Sequence, residues 1–180
     1  ASMVLQSNGK VVVAWADDEK YMVLRYLPDG TPDYTFSGDG FATIATPYPG
    51  YAVDVATQAD GKIIVAGSID VGASDFFLAR LTSSGALDTS FGSNGIVATD
   101  FDGGGDWAYA VLVQPDGKIV AAGGVSFGGD GDFGAARYNE DGTLDTTFGG
   151  TGKVTIGFGD VERCADIALL EDGDLLLVGS

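Results

Sequence analysis

The sequence predicts an all-β protein of β-propeller type, in which four-stranded antiparallel blades repeat with a period of roughly 55 residues. Two observations carry this prediction. A ten-residue pattern, Gln-Pro-Asp-Gly-Lys and a run of β-branched and small residues at 114–123, returns at 58–67, in weaker form at 6–15, and again at 170–179. Short strand-like runs surround each copy, and no capped stretch of helical period interrupts them.

The pattern describes a hairpin. Asp-Gly between two apolar runs favours a tight turn, because glycine accepts the backbone conformation that such a turn requires. Gly61, Gly117 and Gly173 lie 56 residues apart, so the hairpin recurs at a constant interval. Four short strands per interval, joined by tight turns, are typical of a propeller blade.

The first copy covers approximately residues 1–50. Its strand before the Asn-Gly turn is shortened, and Pro28-Asp29-Gly30 predicts a further turn because proline presets φ. The predicted strands of this copy are 11–15, 21–26 and 41–46.

The second copy covers 51–106, the third covers 107–162, and a partial fourth covers 163–180. We expect the four copies to form one repeat domain that is part of a larger propeller or assembly. The predicted strands of the second and third copies are 52–57, 62–67, 75–82 and 96–101, then 108–114, 118–123, 133–138 and 153–158.

The composition belongs to a folded chain with many turns. Among 180 residues, 45% are hydrophobic and 19% are charged, which separates the chain from disordered proteins. The 29 glycines follow no three-residue period, so a collagen-like structure is excluded.

The charge of the chain excludes several classes of partner. The formal net charge is −17, and such a surface repels nucleic acids and acidic membranes. No apolar run approaches the length of a membrane span, so we expect no membrane insertion. The chain contains no histidine, which removes the commonest general base and metal ligand. Cationic partners and metal ions stay open.

The spacing of the repeats predicts one constant face and one variable face. The step from Arg25, Arg80 and Arg137 to the next turn glycine is always 5 residues, whereas the step from the first turn glycine to the arginine is 16, 19 and 20 residues. The second-to-third and fourth-to-first connections of a blade emerge together, so variation is confined to one face. We call this the variable face and predict that it is the binding surface. It comprises Ala16 to Lys20, Ile69 to Ser74, Val125 to Asp130 and the connections near Tyr48 and Asp102.

Several repeated side chains are predicted to be structural, because a catalytic residue rarely needs one copy per blade. Each repeated arginine, placed on an inner strand, is expected to bind a carboxylate and loop carbonyls and so hold the long connection to its own blade. The partner aspartates are Asp33, Asp88 and Asp145. The phenylalanines expected to fill the space between blades are Phe36, Phe91 and Phe148.

No catalytic, cofactor-binding or metal-binding residues are predicted. The chain lacks a Gly-x-Ser-x-Gly elbow, a phosphate-binding loop and paired metal-binding cysteines. Cys164, opposite Ala52 and Ala108 in the repeats, is predicted to be a buried inert thiol. The aromatic side chains Tyr51 and Trp107 are predicted to pack in the core, with a sugar or peptide site as the alternative.

Two acidic, glycine-rich segments raise the question of calcium. Phe-Gly-Gly-Asp-Gly-Asp at 127–132 meets neither the EF-hand spacing nor the repeat pattern Gly-Gly-x-Gly-x-Asp, so a solvated turn is the favoured interpretation. The segment 100–106 is a similarly weak match. We therefore predict no cofactor and keep calcium as an alternative.

Three segments at constant spacing resemble the delta-60 repeat: 114–123, Ala-Arg-Tyr-Asn at 136–139, and Asp-Gly-Thr-Leu-Asp-Thr-Thr-Phe-Gly at 141–149. The resemblance covers nearly the whole chain, and the first copy departs from it at Asn8, Trp15 and Ser37. It implies a propeller-like fold and tandem use in large bacterial proteins, many of them secreted or exposed at the cell surface. It carries over no catalytic residues.

Together these observations predict a non-enzymatic interaction or structural module outside the cytoplasm, with a protein or glycan partner or self-association through incomplete blades. Two alternatives stay open. One is a propeller-type hydrolase or lyase that uses acidic residues of a central channel. The other is a calcium-stabilised adhesin segment.

Overall fold

The computed structural model describes residues 1–17, 20–46, 48–127, 130–159 and 161–180. The described residues form antiparallel β-sheets and contain no helix, so the predicted all-β class is confirmed. Accordingly, no helix with the length and hydropathy of a membrane span occurs among them.

Three four-stranded sheets and one two-stranded sheet follow each other along the chain, each in sequential strand order. The first sheet contains β1 (Ser2–Leu5), β2 (Val11–Asp17), β3 (Lys20–Tyr26) and β4 (Phe41–Ala45). The second contains β5 (Gly50–Thr57), β6 (Ile63–Asp70), β7 (Ser74–Leu81) and β8 (Ile96–Thr99). The third contains β9 (Asp106–Val113), β10 (Ile119–Phe127), β11 (Asp130–Tyr138) and β12 (Lys153–Ile156). The last contains β13 (Cys164–Leu169) and β14 (Leu175–Gly179). We call these sheets blades one to four.

The turn between the first and second strands of a blade, which we call the opening turn, is built the same way in all four blades. In the second blade the Asp60 Oδ1 atom accepts the Lys62 N–H at 3.1 Å. Asn8 takes the same role in the first blade and accepts the Lys10 N–H at 3.0 Å. The amide oxygen therefore replaces the carboxylate without changing the turn.

Trp15 stands in the first blade where the second and third have Gly67 and Gly123. In the third blade a Cβ at Gly123 would lie 1.8 Å from the Trp107 carbonyl oxygen of the neighbouring strand. In the first blade the pairing of β1 with β2 runs from Leu5–Val11 to Ser2–Ala14 and does not include Trp15. Trp15 packs against Phe41 instead, with ring centroids 6.1 Å apart.

The predicted length variation on the variable face lies mainly in the hairpin arms. The ladder of β6 and β7 extends to the pair Asp70–Ser74, and that of β10 and β11 extends to Phe127–Asp130. The strands therefore continue beyond their predicted ends into segments that the sequence assigned to loops. Within the predicted variable face, Ile69 and Val125 are consequently 4% and 2% exposed, and they belong to the core.

The core fills the spaces between successive blades. One cluster joins the first and second blades, where the Tyr21 and Phe77 rings stack with centroids 4.1 Å apart. The Tyr21 hydroxyl donates to the Ser68 carbonyl oxygen at 2.5 Å, so the phenol is satisfied although it is buried. Two further clusters join the second blade to the third and the third to the fourth. The first strands of the blades also contact one another, β5 with β9 and β9 with β13.

Candidate functional site

The constant face carries the same ion-pair network in each of the first three blades. Arg25 Nε donates to Asp33 Oδ2 at 2.7 Å, and the corresponding distance in the second blade, from Arg80 to Asp88, is 2.8 Å. The third blade repeats it with Arg137 and Asp145 at 2.8 Å. The predicted pairing of each arginine with its aspartate is confirmed.

The arginines also bind the following blade, which the sequence did not indicate. Arg25 Nη1 donates to the Ser83 carbonyl oxygen at 2.6 Å, and Arg80 Nη1 donates to the Glu140 carbonyl oxygen. Each of these carbonyls belongs to the next blade. One guanidinium therefore holds its own long connection and the neighbouring blade together.

Lysines of the opening turns complete the network. Lys10 Nζ lies 2.8 Å from Asp33 Oδ2, Lys118 Nζ lies 2.8 Å from Asp145 Oδ2, and Lys62 Nζ lies 3.4 Å from Asp88 Oδ2. Sequence reasoning missed these contacts. The available signal was the recurrence of this lysine directly after the turn glycine in the first three copies, 23, 26 and 27 residues before the aspartate.

The repeated phenylalanines pack beneath the arginines. Phe36 and Phe91 are fully buried, and each arginine Cζ lies 4.6 Å from the ring centroid. The rings press against Gly85 and Gly142 of the following blade, where an added Cβ would lie 3.0 Å from the ring. The prediction that these side chains fill the space between blades is confirmed for both. Phe148 is half-buried and stacks with Arg137 at 4.8 Å.

A groove of about 780 Å³ lies on the constant face between the second and third blades. Its lining includes Lys62, Arg80, Gln114 and Glu140. Both cationic side chains are already held by Asp88, so the groove offers little free charge to a ligand. We therefore do not place the functional site there.

The variable face contains a cluster of three carboxylates at the junction of the second and third blades. Asp75 lies near the start of β7, Asp100 directly follows β8, and Asp106 is the first residue of β9. One carboxylate oxygen from each residue lies within 4.8 Å of the other two. Phe76 pairs with Thr99, so the β7–β8 ladder brings Asp75 and Asp100 to the same end.

Asp106 is the buried member of this cluster, with 0% of its surface exposed. Its Oδ2 accepts the Phe101 N–H at 2.6 Å, whereas its Oδ1 has no hydrogen-bond partner. Burial raises the pKa of Asp106 to about 6; the amides of Phe101 and Ser126 oppose this, and the charges of Asp100 and Asp75 add to it. Burial and the charge of Asp100 also raise the pKa of Asp75.

The segment between Asp100 and Asp106 folds back on itself. Asp100 Oδ1 accepts the Gly103 N–H at 2.6 Å, and Asp102 adopts φ of 90°. The Lys153 ammonium lies near, but it donates to the Asp100 carbonyl oxygen at 2.8 Å and faces the Phe101 ring at 5.4 Å. No salt bridge from a lysine or arginine to the three carboxylates occurs in the part of the chain that the structure describes.

The other junctions are built from different residues at the matching repeat positions. At the first junction these positions hold Lys20, Ala45 and Gly50. A Cβ at Gly50 would lie 1.8 Å from the Tyr21 hydroxyl, so a neutral phenol fills the space there. At the third junction the positions hold Asp132, Gly157 and Glu162. The three-aspartate cluster is therefore a feature of one junction and not of the repeat.

The structure also places the remaining predicted residues. Cys164 is fully buried, which confirms the predicted burial, and burial raises the pKa of its thiol. Tyr51 is 62% exposed, so the prediction of core packing is wrong for this residue. The reason is its position as the second residue of β5, at the end of the strand on the variable face. Trp107 is half-buried beside Arg163 and Val161.

Parts of the predicted variable face lie outside the described residues, namely 18–19, 47 and 128–129. The 127–132 segment, considered above for calcium, includes the last pair. Its last residue, Asp132, lies within β11 and pairs with Val125 of β10. Tyr48 is 47% exposed.

Comparison with protein families identifies a β-propeller family. A model described as a domain of unknown function (DUF5122) beta-propeller matches residues 6–36, 58–91 and 114–148, which together exceed half of the chain. Each matched segment begins at the glutamine of the opening turn and ends at the phenylalanine beneath the arginine. No curated protein matches the chain. The tandem blades, the repeated network and this match show that the chain belongs to the DUF5122 beta-propeller family.

Proposed function

We propose that the chain is a non-enzymatic interaction module that binds a protein or glycan partner through its variable face. The strongest support is that the contacts repeated between blades lie on one face, whereas the segments that differ between blades lie on the other. The contacts of arginine, aspartate, lysine and phenylalanine that recur from blade to blade lie on the constant face. Residues of the variable face can therefore differ between blades without disturbing those contacts.

The similarity to the delta-60 repeat and the net charge of −17 support a secreted or cell-surface location. An acidic surface remains soluble and favours cationic regions of a partner over nucleic acids. Exposed aromatic side chains add contact area on the same face, in Tyr48 and Tyr51.

The enzymatic alternative has less support from the geometry. A hydrolase or lyase of this type needs carboxylates that a substrate can reach. The carboxyl group of Asp106 has no exposed surface, so it cannot meet a substrate in this arrangement.

The test uses a phage-displayed peptide library and a glycan array as probes. Ligands selected on the unmodified chain should bind at least about tenfold more weakly to a variant that carries Tyr48→Ala and Tyr51→Ala. The matched control is Tyr34→Ala, which removes an aromatic side chain that is 67% exposed on the constant face. Binding to this control should be unchanged, and the melting temperatures of both variants should stay close to that of the unmodified chain.

The proposal is wrong if the selected ligands lose affinity for Tyr34→Ala and keep it for the double variant. It is also wrong if neither library yields a ligand. Cleavage of an array glycan by the unmodified chain would instead establish the enzymatic alternative.

A further inference from the structure

We infer that Asp75, Asp100 and Asp106 form a binding site for one Ca²⁺ ion, which joins the second blade to the third on the variable face. This inference does not rest on the proposed partner binding. It starts from the three carboxylate oxygens that lie within 4.8 Å of one another.

A cluster of acids on a protein with a net charge of −17 would mean little by itself. The additional observation is Asp106, whose side chain is fully buried and whose Oδ1 atom accepts no hydrogen bond. A buried carboxylate oxygen without a partner is costly, and native structures normally satisfy such an atom with a donor, a water molecule or an ion. One carboxylate oxygen of Asp106 lies within 4.8 Å of an oxygen of Asp75 and of Asp100, so a cation shared by the three residues would neutralise the buried charge.

The dimensions of the cluster fit Ca²⁺. Oxygen ligands lie about 2.3–2.6 Å from Ca²⁺, so two ligands on opposite sides of the ion are separated by about 4.6–5.2 Å. The observed limit of 4.8 Å therefore lets the three oxygens share one ion. Mg²⁺ demands near-ideal octahedral geometry and keeps several waters, so a site of three side-chain oxygens from two blades suits the more flexible coordination of Ca²⁺ better.

The ligand chemistry supports the same ion. The three side chains offer oxygen atoms alone, which suit hard cations and not zinc or copper. Lys153 binds the Asp100 carbonyl oxygen, and none of the salt bridges among the described residues reaches the three carboxylates. Water and backbone carbonyl oxygens would complete the six to eight ligands that Ca²⁺ takes.

The position of the site defines what the ion would do. Asp75 and Asp100 belong to the second blade, and Asp106 begins the third. The ion would therefore hold the fourth-to-first connection of this junction against the start of β9. The first junction has Lys20 and Gly50 at two of the three matching positions, so an equivalent site cannot form there.

The experiment uses the whole 180-residue chain after removal of divalent ions with EDTA. Calorimetric titration with CaCl₂ should show one site per chain. Addition of about 10 mM CaCl₂ should raise the melting temperature by roughly 3–10 °C, whereas the same concentration of MgCl₂ should have a much smaller effect. Asp75→Asn and Asp106→Asn should each weaken Ca²⁺ binding by about tenfold or more, because each removes one charged ligand.

The matched control is Asp116→Asn, which makes the same change in charge on the constant face. The Asp116 Oδ1 atom accepts the Lys118 N–H at 3.2 Å, and an asparagine oxygen can do the same. The inference is overturned if the three variants bind Ca²⁺ equally, since the ion would then respond to net charge alone. Absence of binding at 10 mM would overturn it too, and equal responses to MgCl₂ and CaCl₂ would refute the assignment of calcium.

Discussion

Ser37 and Gly92 occupy the same position in successive blades and adopt the same backbone, with φ of 57° and 52°. Positive φ values are strained for residues other than glycine. A Cβ at Gly92 would also lie 2.4 Å from Val97 Cγ2 and 2.5 Å from the Ile96 carbonyl oxygen. In the first blade Ala42 replaces that valine, so the side chain of Ser37 has more room. Glycine is therefore favoured at position 92 for two reasons, the positive φ of the backbone and the close contact with Val97.

We predict that Gly92→Ala lowers the free energy of unfolding by about 2–4 kcal/mol, through backbone strain and the contact with Val97. Ser37→Ala is the control, and it should change stability by less than about 0.5 kcal/mol because a Cβ is already present. Urea denaturation measures both. Val97→Ala should recover part of the loss when it is added to Gly92→Ala. Equal losses for Gly92→Ala and Ser37→Ala would contradict this account.

Between elements, the Arg80–Asp88 ion pair joins β7 to the connection between β7 and β8. Burial alone would raise the pKa of Asp88, but hydrogen bonds from Ser90 and the charges of Arg80 and Lys62 outweigh it and lower the pKa to about 2. A lowered carboxyl pKa stabilises the folded chain above the unfolded value of about 4, and this stabilisation is lost as the pH falls through about 2.

Asp88→Asn should therefore destabilise the chain by about 3 kcal/mol at pH 7, because Arg80 is 4% exposed and would keep a buried charge without its carboxylate. Asp60→Asn provides the control: it removes the other carboxylate near Lys62, at 3.3 Å, from an exposed position and should cost less than about 1 kcal/mol. Urea unfolding from pH 7 to pH 2 measures both. The difference between Asp88→Asn and the unmodified chain should shrink below about pH 4, and a difference independent of pH would argue against the ion pair.

The same elements show what could be predicted from the sequence. The strand order and the structural arginines followed from residues whose spacing is constant, such as Arg80 and Asp88 eight residues apart. The three-aspartate cluster did not follow, because Asp75 and Asp106 are 31 residues apart and their meeting depends on how two blades pack. The extension of β10 to Phe127 was missed because glycines and serines of a hairpin arm resemble a loop in composition. Neither the three-aspartate cluster nor the extension of β10 produces a repeating pattern in the sequence.

At the scale of the whole molecule, two faces stay uncovered among the described residues. On β1, Met3 and Leu5 are 73% and 69% exposed, while Val4 between them packs against the core. On β14, Leu176 and Val178 are 48% and 53% exposed, while Leu177 faces the third blade. The exposed apolar face of β1 in one copy of the chain can pack against that of β14 in another copy. Such a contact joins two different surfaces and is therefore heterologous.

We therefore expect the 18.4 kDa chain to self-associate, and light scattering on a sizing column measures the mass. The net charge of −17 opposes the contact, so association should increase from low salt to about 0.5 M NaCl as the repulsion is screened. Leu176→Lys together with Val178→Lys should shift the chain to the monomer, because these positions face away from the third blade. The control pair Tyr34→Lys and Tyr51→Lys adds the same charge at exposed sites outside β1 and β14 and should leave the mass unchanged. A monomer at every salt concentration would show that the two apolar faces do not bind each other.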